Sequence, residues 1–233
     1  MKNICLLWDF DQTLAYRDGM WTQSVCNILE RAGYTSYDRE AISLSMRPHY
    51  PWAKHELSHS EYFGGLDWWG YINTVVSRAF YAADISDKQE NERLASQFRE
   101  EYLRADAWYL YEDTERNLIK SRELEYDNII LSNHTPELSM LAERLGIAKY
   151  FTHIVTSAQV GYEKPNPNFY AVVKSFGQYG KYYMIGDNYN ADILGAKQAG
   201  YDAILVRSEN KHGYPLYSEN LDGIWKYILN SGV

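Results

Sequence analysis

Ile4-Cys5-Leu6-Leu7-Trp8-Asp9-Phe10-Asp11-Gln12-Thr13 is the stretch on which the reading of the chain turns. Five apolar residues in a row suit a strand buried on both faces of a parallel sheet. Two carboxylates and a threonine follow. Acid at the carboxyl end of such a strand lies at the sheet edge where α/β folds bind their ligands. Charge there is costly unless it meets a cation or performs chemistry. Taken alone, the same residues also fit a solvated strand-end turn.

Working outward, the chain from about Asp113 alternates strand and helix. Apolar runs at Asn128-Ile129-Ile130-Leu131, His153-Ile154-Val155-Thr156, Tyr182-Tyr183-Met184-Ile185 and Ala203-Ile204-Leu205-Val206 predict four further buried strands. Between them, Thr135-Pro136 to Gly146, Asn166-Pro167 to Phe176 and Asp192 to Gly200 carry helix start and stop signals, and Ile224 to Leu229 reads as a last short helix. Alternation of this kind predicts a Rossmann-like parallel sheet with right-handed crossovers and helices on both faces. Residues from about Ala15 to Trp108 show no convincing buried strand. Thr22 to Ala32, closed by Gly33, and Glu92 to Arg104 read as amphipathic helices, and an aromatic-rich stretch runs from Tyr50 to Tyr71. The expected organisation is a discontinuous catalytic core, 1–14 and 113–233, interrupted by an α-helical unit over 15–112.

The bulk numbers agree with one globular chain. It has 233 residues, 45% hydrophobic and 23% charged. Lys+Arg 23 against Asp+Glu 31 gives −8, which argues against a nucleic-acid or anionic-membrane surface. Cys5 and Cys26 provide neither a disulfide framework nor a metal cluster. With no long apolar run and no signal-peptide pattern at the start, a cytoplasmic setting is expected. The 22 Tyr and 7 Trp are the unusual count; such rings fill cores and also line pockets.

Polar residues fall at the strand ends. Asp9 and Asp11 end the first strand, Ser132 and Asn133 the second, and Asp187 the fourth, while Lys164 sits in the loop after the third. In a parallel sheet all of these face one crevice. Crowded carboxylates raise each other's pKa unless a cation neutralises them. Oxygen-only ligands point to Mg²⁺. A lysine and a hydroxyl beside the metal suit a phosphoryl group. Asp9 is then placed to attack phosphorus and Asp11 to move the proton. Asn133 and Thr13 are further phosphate-site candidates, with helix-start and local turn roles as their alternatives. Asp192 equally suits a first-turn acid matching the helix dipole.

Four segments in order, Asp9-Phe10-Asp11-Gln12-Thr13-Leu14, Leu131-Ser132-Asn133, Glu163-Lys164-Pro165 and Gly186-Asp187-Asn188-Tyr189-Asn190-Ala191-Asp192-Ile193, resemble the four motifs of the haloacid dehalogenase superfamily. The resemblance spans residues 1–14 and 113–233, and the helical insertion resembles the cap of the phosphatase-rich branch. It implies Asp9 as nucleophile and first metal ligand, Asp11 as general acid/base with its main-chain carbonyl on Mg²⁺, and Asp187 as a third protein ligand. Ser132 and Lys164 would bind the transferring phosphoryl group, and Asp192 would act through water or Lys164. Gln12 departs from the pattern, which most often has glycine there, and is expected to narrow the substrate's approach.

The expected activity is Mg²⁺-dependent hydrolysis of a small phosphomonoester, with nucleotides and sugar phosphates as first candidates. A dehalogenase of the same fold is a rival against which Asp11 argues, because that pattern lacks the second aspartate. A phosphomutase would use the same pair, and a silent binding module would not need the set intact. In the insertion, Arg47, His49, Lys54 and His55 are candidates for substrate contact, and Trp52, Trp68 and Trp69 for its core.

Overall fold

The computed structural model describes residues 4–61 and 67–230, so the aromatic stretch expected between Tyr50 and Tyr71 is described apart from 62–66. Its strands are β1 (Ile4–Trp8), β2 (Ala15–Tyr16), β3 (Tyr109–Leu110), β4 (Asp127–Ser132), β5 (His153–Thr156), β6 (Lys181–Gly186), β7 (Asp202–Val206) and β8 (Tyr217–Ser218). The helices are α1 (Met20–Arg31), α2 (Arg39–Met46), α3 (Trp68–Ala82), α4 (Lys88–Ala95), α5 (Phe98–Tyr102), α6 (Thr114–Glu123), α7 (Leu138–Arg144), α8 (Ser157–Val160), α9 (Pro167–Ala171), α10 (Gly195–Gln198) and α11 (Trp225–Leu229).

A six-stranded parallel sheet runs in the order β5-β4-β1-β6-β7-β8. The first strand therefore lies inside the sheet, with Trp8 opposite Ile130 on one side and Ile185 on the other. All five of its residues are buried. Ile4, Leu6 and Trp8 enter one apolar cluster, Cys5 and Leu7 the cluster on the opposite face. That alternation is the period-2 geometry of a strand covered on both sides. The Trp8 indole donates to Asn128 Oδ1 (2.9 Å), and Asn128 in turn donates to Ser121 Oγ and the Tyr150 carbonyl. Buried polar groups between sheet and helix are thus satisfied.

The stem of the insertion is a small antiparallel pair, β2 with β3. Between them the described residues are helices and 3₁₀ turns, with no strand. Glu101 is buried and knits this unit together, accepting from Arg17 (2.6 Å), Asn27 (2.7 Å) and Arg31. The aromatic side chains share one cluster with the sheet face that holds Trp8 and Phe10.

Several local expectations shift. The helix expected over Glu92–Arg104 is two, α4 and α5, broken at Ser96–Gln97. Thr135 does not cap a helix: α7 begins at Leu138, and the Thr135 hydroxyl meets the His134 ring instead (3.2 Å). Asn166 does cap α9, with Pro167 at its first position. The segment after β6 opens as a π-helical turn, Tyr189–Leu194, before α10. Such turns are frequent at functional sites.

Candidate active site

Because β1, β4 and β6 are neighbours in register, their ends deliver Asp9, Ser132–Asn133 and Asp187 to one edge. These residues line one cavity of about 690 Å³, together with Asp11, Gln12 and Lys164. Thr13 and Asp192 are fully buried and lie outside its lining.

Asp9 is the hub. Its Oδ1 accepts from Ser132 Oγ (2.7 Å) and pairs with Lys164 Nζ (2.8 Å). Lys164 Nζ also binds Asp192 Oδ1 at 2.6 Å. Burial works against the lysine's charge, yet Asp192 and Asp9 overturn it and hold the ammonium above its ordinary pKa. The second oxygen of Asp192 accepts the Asn188 main-chain N–H (2.9 Å). Asp192 is therefore occupied on both oxygens in positioning Lys164 and the turn after Asp187. Gly186 makes room for it, since a Cβ there would fall 2.2 Å from Asp192 Cγ.

Asn133 acts on the backbone of Lys164. Its amide oxygen accepts the Lys164 N–H (2.7 Å) and its amide nitrogen donates to the Lys164 carbonyl (3.0 Å). Two bonds to one residue fix the loop from which the lysine reaches Asp9. Thr13 directs its hydroxyl toward Asp187 Oδ1 (3.4 Å), while the Thr13 carbonyl accepts from Arg207 Nε (2.8 Å). Arg207 also pairs with Asp113 and lies over the Tyr111 ring, tying the first-motif loop to the stem.

Asp11 keeps 21% of its side chain exposed, but its Oδ1 is enclosed without a hydrogen-bond partner among the described residues. Burial, then the charges of Asp9 and Asp187, push its pKa well above the carboxylate range. Asp187 is raised by burial and by Asp9 and Asp192. A site that crowds carboxylates in this way favours either a proton or a cation.

His134 belongs to the site although the sequence reading passed over it. Its Nε2 stands 3.6 Å from Asp11 Oδ1, and neither atom has a hydrogen bond among the described residues. The ring is packed among Phe10, Trp108 and Tyr102, and burial lowers its pKa to about 4. It is thus a neutral imidazole beside the acid. Its position next to Ser132-Asn133 was the only available signal.

Gln12 has φ 59, in the left-handed region that favours glycine. Its amide oxygen accepts from the Tyr111 hydroxyl at 3.1 Å, and the residue lines the cavity. A strained non-glycine residue at a cavity wall is a functional pointer. From the insertion, Trp21, Tyr50, Trp52 and His55 are among the residues that line it. Trp68 is buried in the insertion's core, and Trp69 donates to Glu137 of the core (2.9 Å).

A divalent ion fits this donor set. Asp9, Asp187 and Asp192 each bring an oxygen within 4.8 Å of the others. With both Asp192 oxygens already engaged, Asp9 and Asp187 are the carboxylates left to hold the ion. Hard oxygen donors without sulfur or imidazole suit Mg²⁺.

Residues 5–200 match the family of haloacid dehalogenase-like hydrolases. The chain belongs to that family. It is similar to the haloacid dehalogenase-like hydrolase domain-containing protein 3 of Bos taurus, 27% identical over 143 residues, 60% of this chain and 55% of that protein. A shorter match, 47% identical over 68 residues, joins it to a glyceraldehyde 3-phosphate phosphatase of Methanothermobacter thermautotrophicus, over 28% of this chain and 30% of the relative. The chain thus matches 55% and 30% of the length of these two relatives. Its fold is that of the L-2-haloacid dehalogenase from Xanthobacter autotrophicus, TM-score 0.68 at 18% identity over 100% of both chains. The chain thus belongs to a hydrolase family and shares its fold with that dehalogenase. Among the described residues no helix is long and apolar enough to cross a membrane.

Proposed function

We propose that this hydrolase is a Mg²⁺-dependent phosphatase of a small phosphomonoester, a nucleotide or sugar phosphate, working through an aspartyl-phosphate on Asp9. The observation that carries this reading is the pairing of two unlike carboxylates on one loop. Asp9 is held by Ser132 and Lys164, whereas Asp11 has an oxygen without a hydrogen bond among the described residues and a raised pKa. A carboxylate held by a hydroxyl and an ammonium suits nucleophilic attack, and a neighbouring acid without those partners suits proton transfer. The phosphatase name of the Methanothermobacter relative supports the same chemistry.

Asp9 attacks phosphorus, the bond from phosphorus to the ester oxygen breaks, and Asp11 gives its proton to the departing alkoxide. Asp11, now ionised, takes a proton from water as the water attacks phosphorus; Asp9 is restored and inorganic phosphate leaves. Lys164 and Ser132 hold the phosphoryl oxygens, and Asp192 and Asn133 position the lysine. Asp9, Asp187 and the Asp11 carbonyl would hold Mg²⁺, which when bound neutralises phosphoryl charge. Thr13 steadies the loop beside Asp187. Residues 15–112 act as a cap over the crevice of the core 1–14 and 113–233, and exclude water from it.

The test is chelation. Hydrolysis of a generic aryl phosphate is expected to fall to background with a chelator and to return with Mg²⁺. Turnover that persists without metal would overturn the carboxylate-clamp reading. A stable phospho-aspartate with transfer back to substrate would instead assign a phosphomutase.

A further inference from the structure

We propose that the substrate is a nucleoside 5′-monophosphate whose base stacks on the Tyr50–Trp52 pair, an inference that rests on the phosphatase reading above. The two rings are already stacked, with centroids 4.6 Å apart and planes 23° from parallel. Trp21 meets Tyr50 and Trp52 edge-on, at 5.0 and 5.6 Å. Edge-on support of a stacked pair fixes its orientation before a ligand arrives, which lowers the ordering cost of binding. All three rings line the cavity that contains Asp9 and Lys164. Trp21 is buried, while Tyr50 and Trp52 are only half-buried and so keep ring surface for a third plane.

The loop that carries this pair is fastened to the core. Asn166 Nδ2 donates to the His55 carbonyl (2.9 Å), and the His59 N–H donates to the Gly161 carbonyl (2.7 Å). From the other side, the Tyr71 hydroxyl donates to the His49 carbonyl (2.8 Å). The distance from aromatic wall to phosphoryl site is thereby set by hydrogen bonds rather than left to side-chain packing.

Charge narrows the leaving group further. Among the described lining residues Lys164 is the lone Lys or Arg, and its ammonium is already shared between Asp9 and Asp192. A second phosphate or a carboxylate on the leaving group would therefore find no further Lys or Arg among the described lining residues. The remaining wall offers neutral amides, Gln12 and Asn190, that suit ribose hydroxyls and base edges. A cavity of about 690 Å³ lies within the range that encloses drug-sized ligands. A three-carbon phosphate would leave its aromatic wall wet.

The experiment compares 5′-nucleotides, ribose 5-phosphate, glyceraldehyde 3-phosphate and an aryl phosphate with Mg²⁺, in the wild type and in Trp52→Ala and Trp52→Phe. Base–aromatic stacking predicts a kcat/KM for a 5′-nucleotide roughly ten- to hundredfold above that for ribose 5-phosphate. Trp52→Ala is expected to collapse that ratio through KM, and Trp52→Phe to retain most of it. Calorimetric titration of Asp9→Asn with the same nucleotide and ribose 5-phosphate is expected to show the same preference without turnover. Equal or better use of ribose 5-phosphate or glyceraldehyde 3-phosphate would overturn the nucleotide assignment while the phosphatase reading stands. Failure to hydrolyse any of the esters, the aryl phosphate included, would overturn both.

Discussion

The two walls of the cavity are built by opposite means. The core wall is electrostatic: carboxylates stand at fixed strand ends with one ammonium from a loop, and Asp11 Oδ1 and His134 Nε2 face each other at 3.6 Å with no hydrogen bond among the described residues. The wall from the insertion is aromatic and nearly uncharged, held by ring contacts among Trp21, Tyr50 and Trp52 and by main-chain hydrogen bonds to the core. The first wall gathers negative charge that a bound cation would relieve. The second offers shape and stacking. On the proposed function, chemistry and selectivity sit on different parts of the chain and can be perturbed separately.

The sharpest break should come from the core wall. Asp9→Asn removes the attacking oxygen while keeping size, and turnover is expected to drop on the order of 10³-fold or more, as for other covalent nucleophiles. Steady-state hydrolysis with the folded variant measures it; near-wild-type rates would show that attack occurs elsewhere.

A smaller effect sharpens the view that the core side carries electrostatic cost. Glu163 is buried, neither carboxylate oxygen has a hydrogen-bond partner of ordinary geometry among the described residues, and burial pushes its pKa to about 7 against the pull of Ser157 and Lys164. A raised carboxylate favours the folded state's proton. The folded protein then loses stability as pH rises from the unfolded value of 4.5 through about 7. Glu163→Gln is expected to be more stable than wild type at pH 8, by about 3 kcal/mol. Denaturant titrations should show the gap closing as pH falls to 4.5, and a pH-independent gap would contradict the buried-acid account.

The smallest effect lies where the walls meet. Gln12→Gly relieves a left-handed backbone but loses the Tyr111 hydrogen bond and gains unfolded-state entropy. Stability is expected to change by less than about 1 kcal/mol, while KM for the preferred ester rises. An unchanged KM would make Gln12 a tolerated strain without a binding role.

How much of this was legible in the sequence differs between the same two walls. The fold and the positions of Asp9, Ser132 and Asp187 follow from apolar runs that end in polar residues, because a buried strand has to show itself that way, and Lys164 from its place in the loop after the third strand. Asn133 and Asp192 were visible as residues, but their partners were not. That both act on Lys164 depends on loop geometry. His134 carried no pattern of its own; its place beside Asp11 comes from a ring packed across three separate segments. Thr13 pointed to phosphate by its position, whereas its hydroxyl turns to Asp187 and its carbonyl to Arg207. The insertion was the least readable part. Tyr, Trp and His there have no period that tells a core ring from a cavity ring, and only packing separates Trp68 from Trp52.

The central claim is that Asp9 carries the phosphoryl group during turnover. Acid quench of the enzyme mixed with excess aryl phosphate and Mg²⁺, followed by borohydride reduction and peptide mass spectrometry, reads it directly. Conversion of residue 9 to homoserine, absent without substrate, is the predicted result. Phosphate release with residue 9 left as aspartate, or reduction found at another carboxylate, would contradict the account.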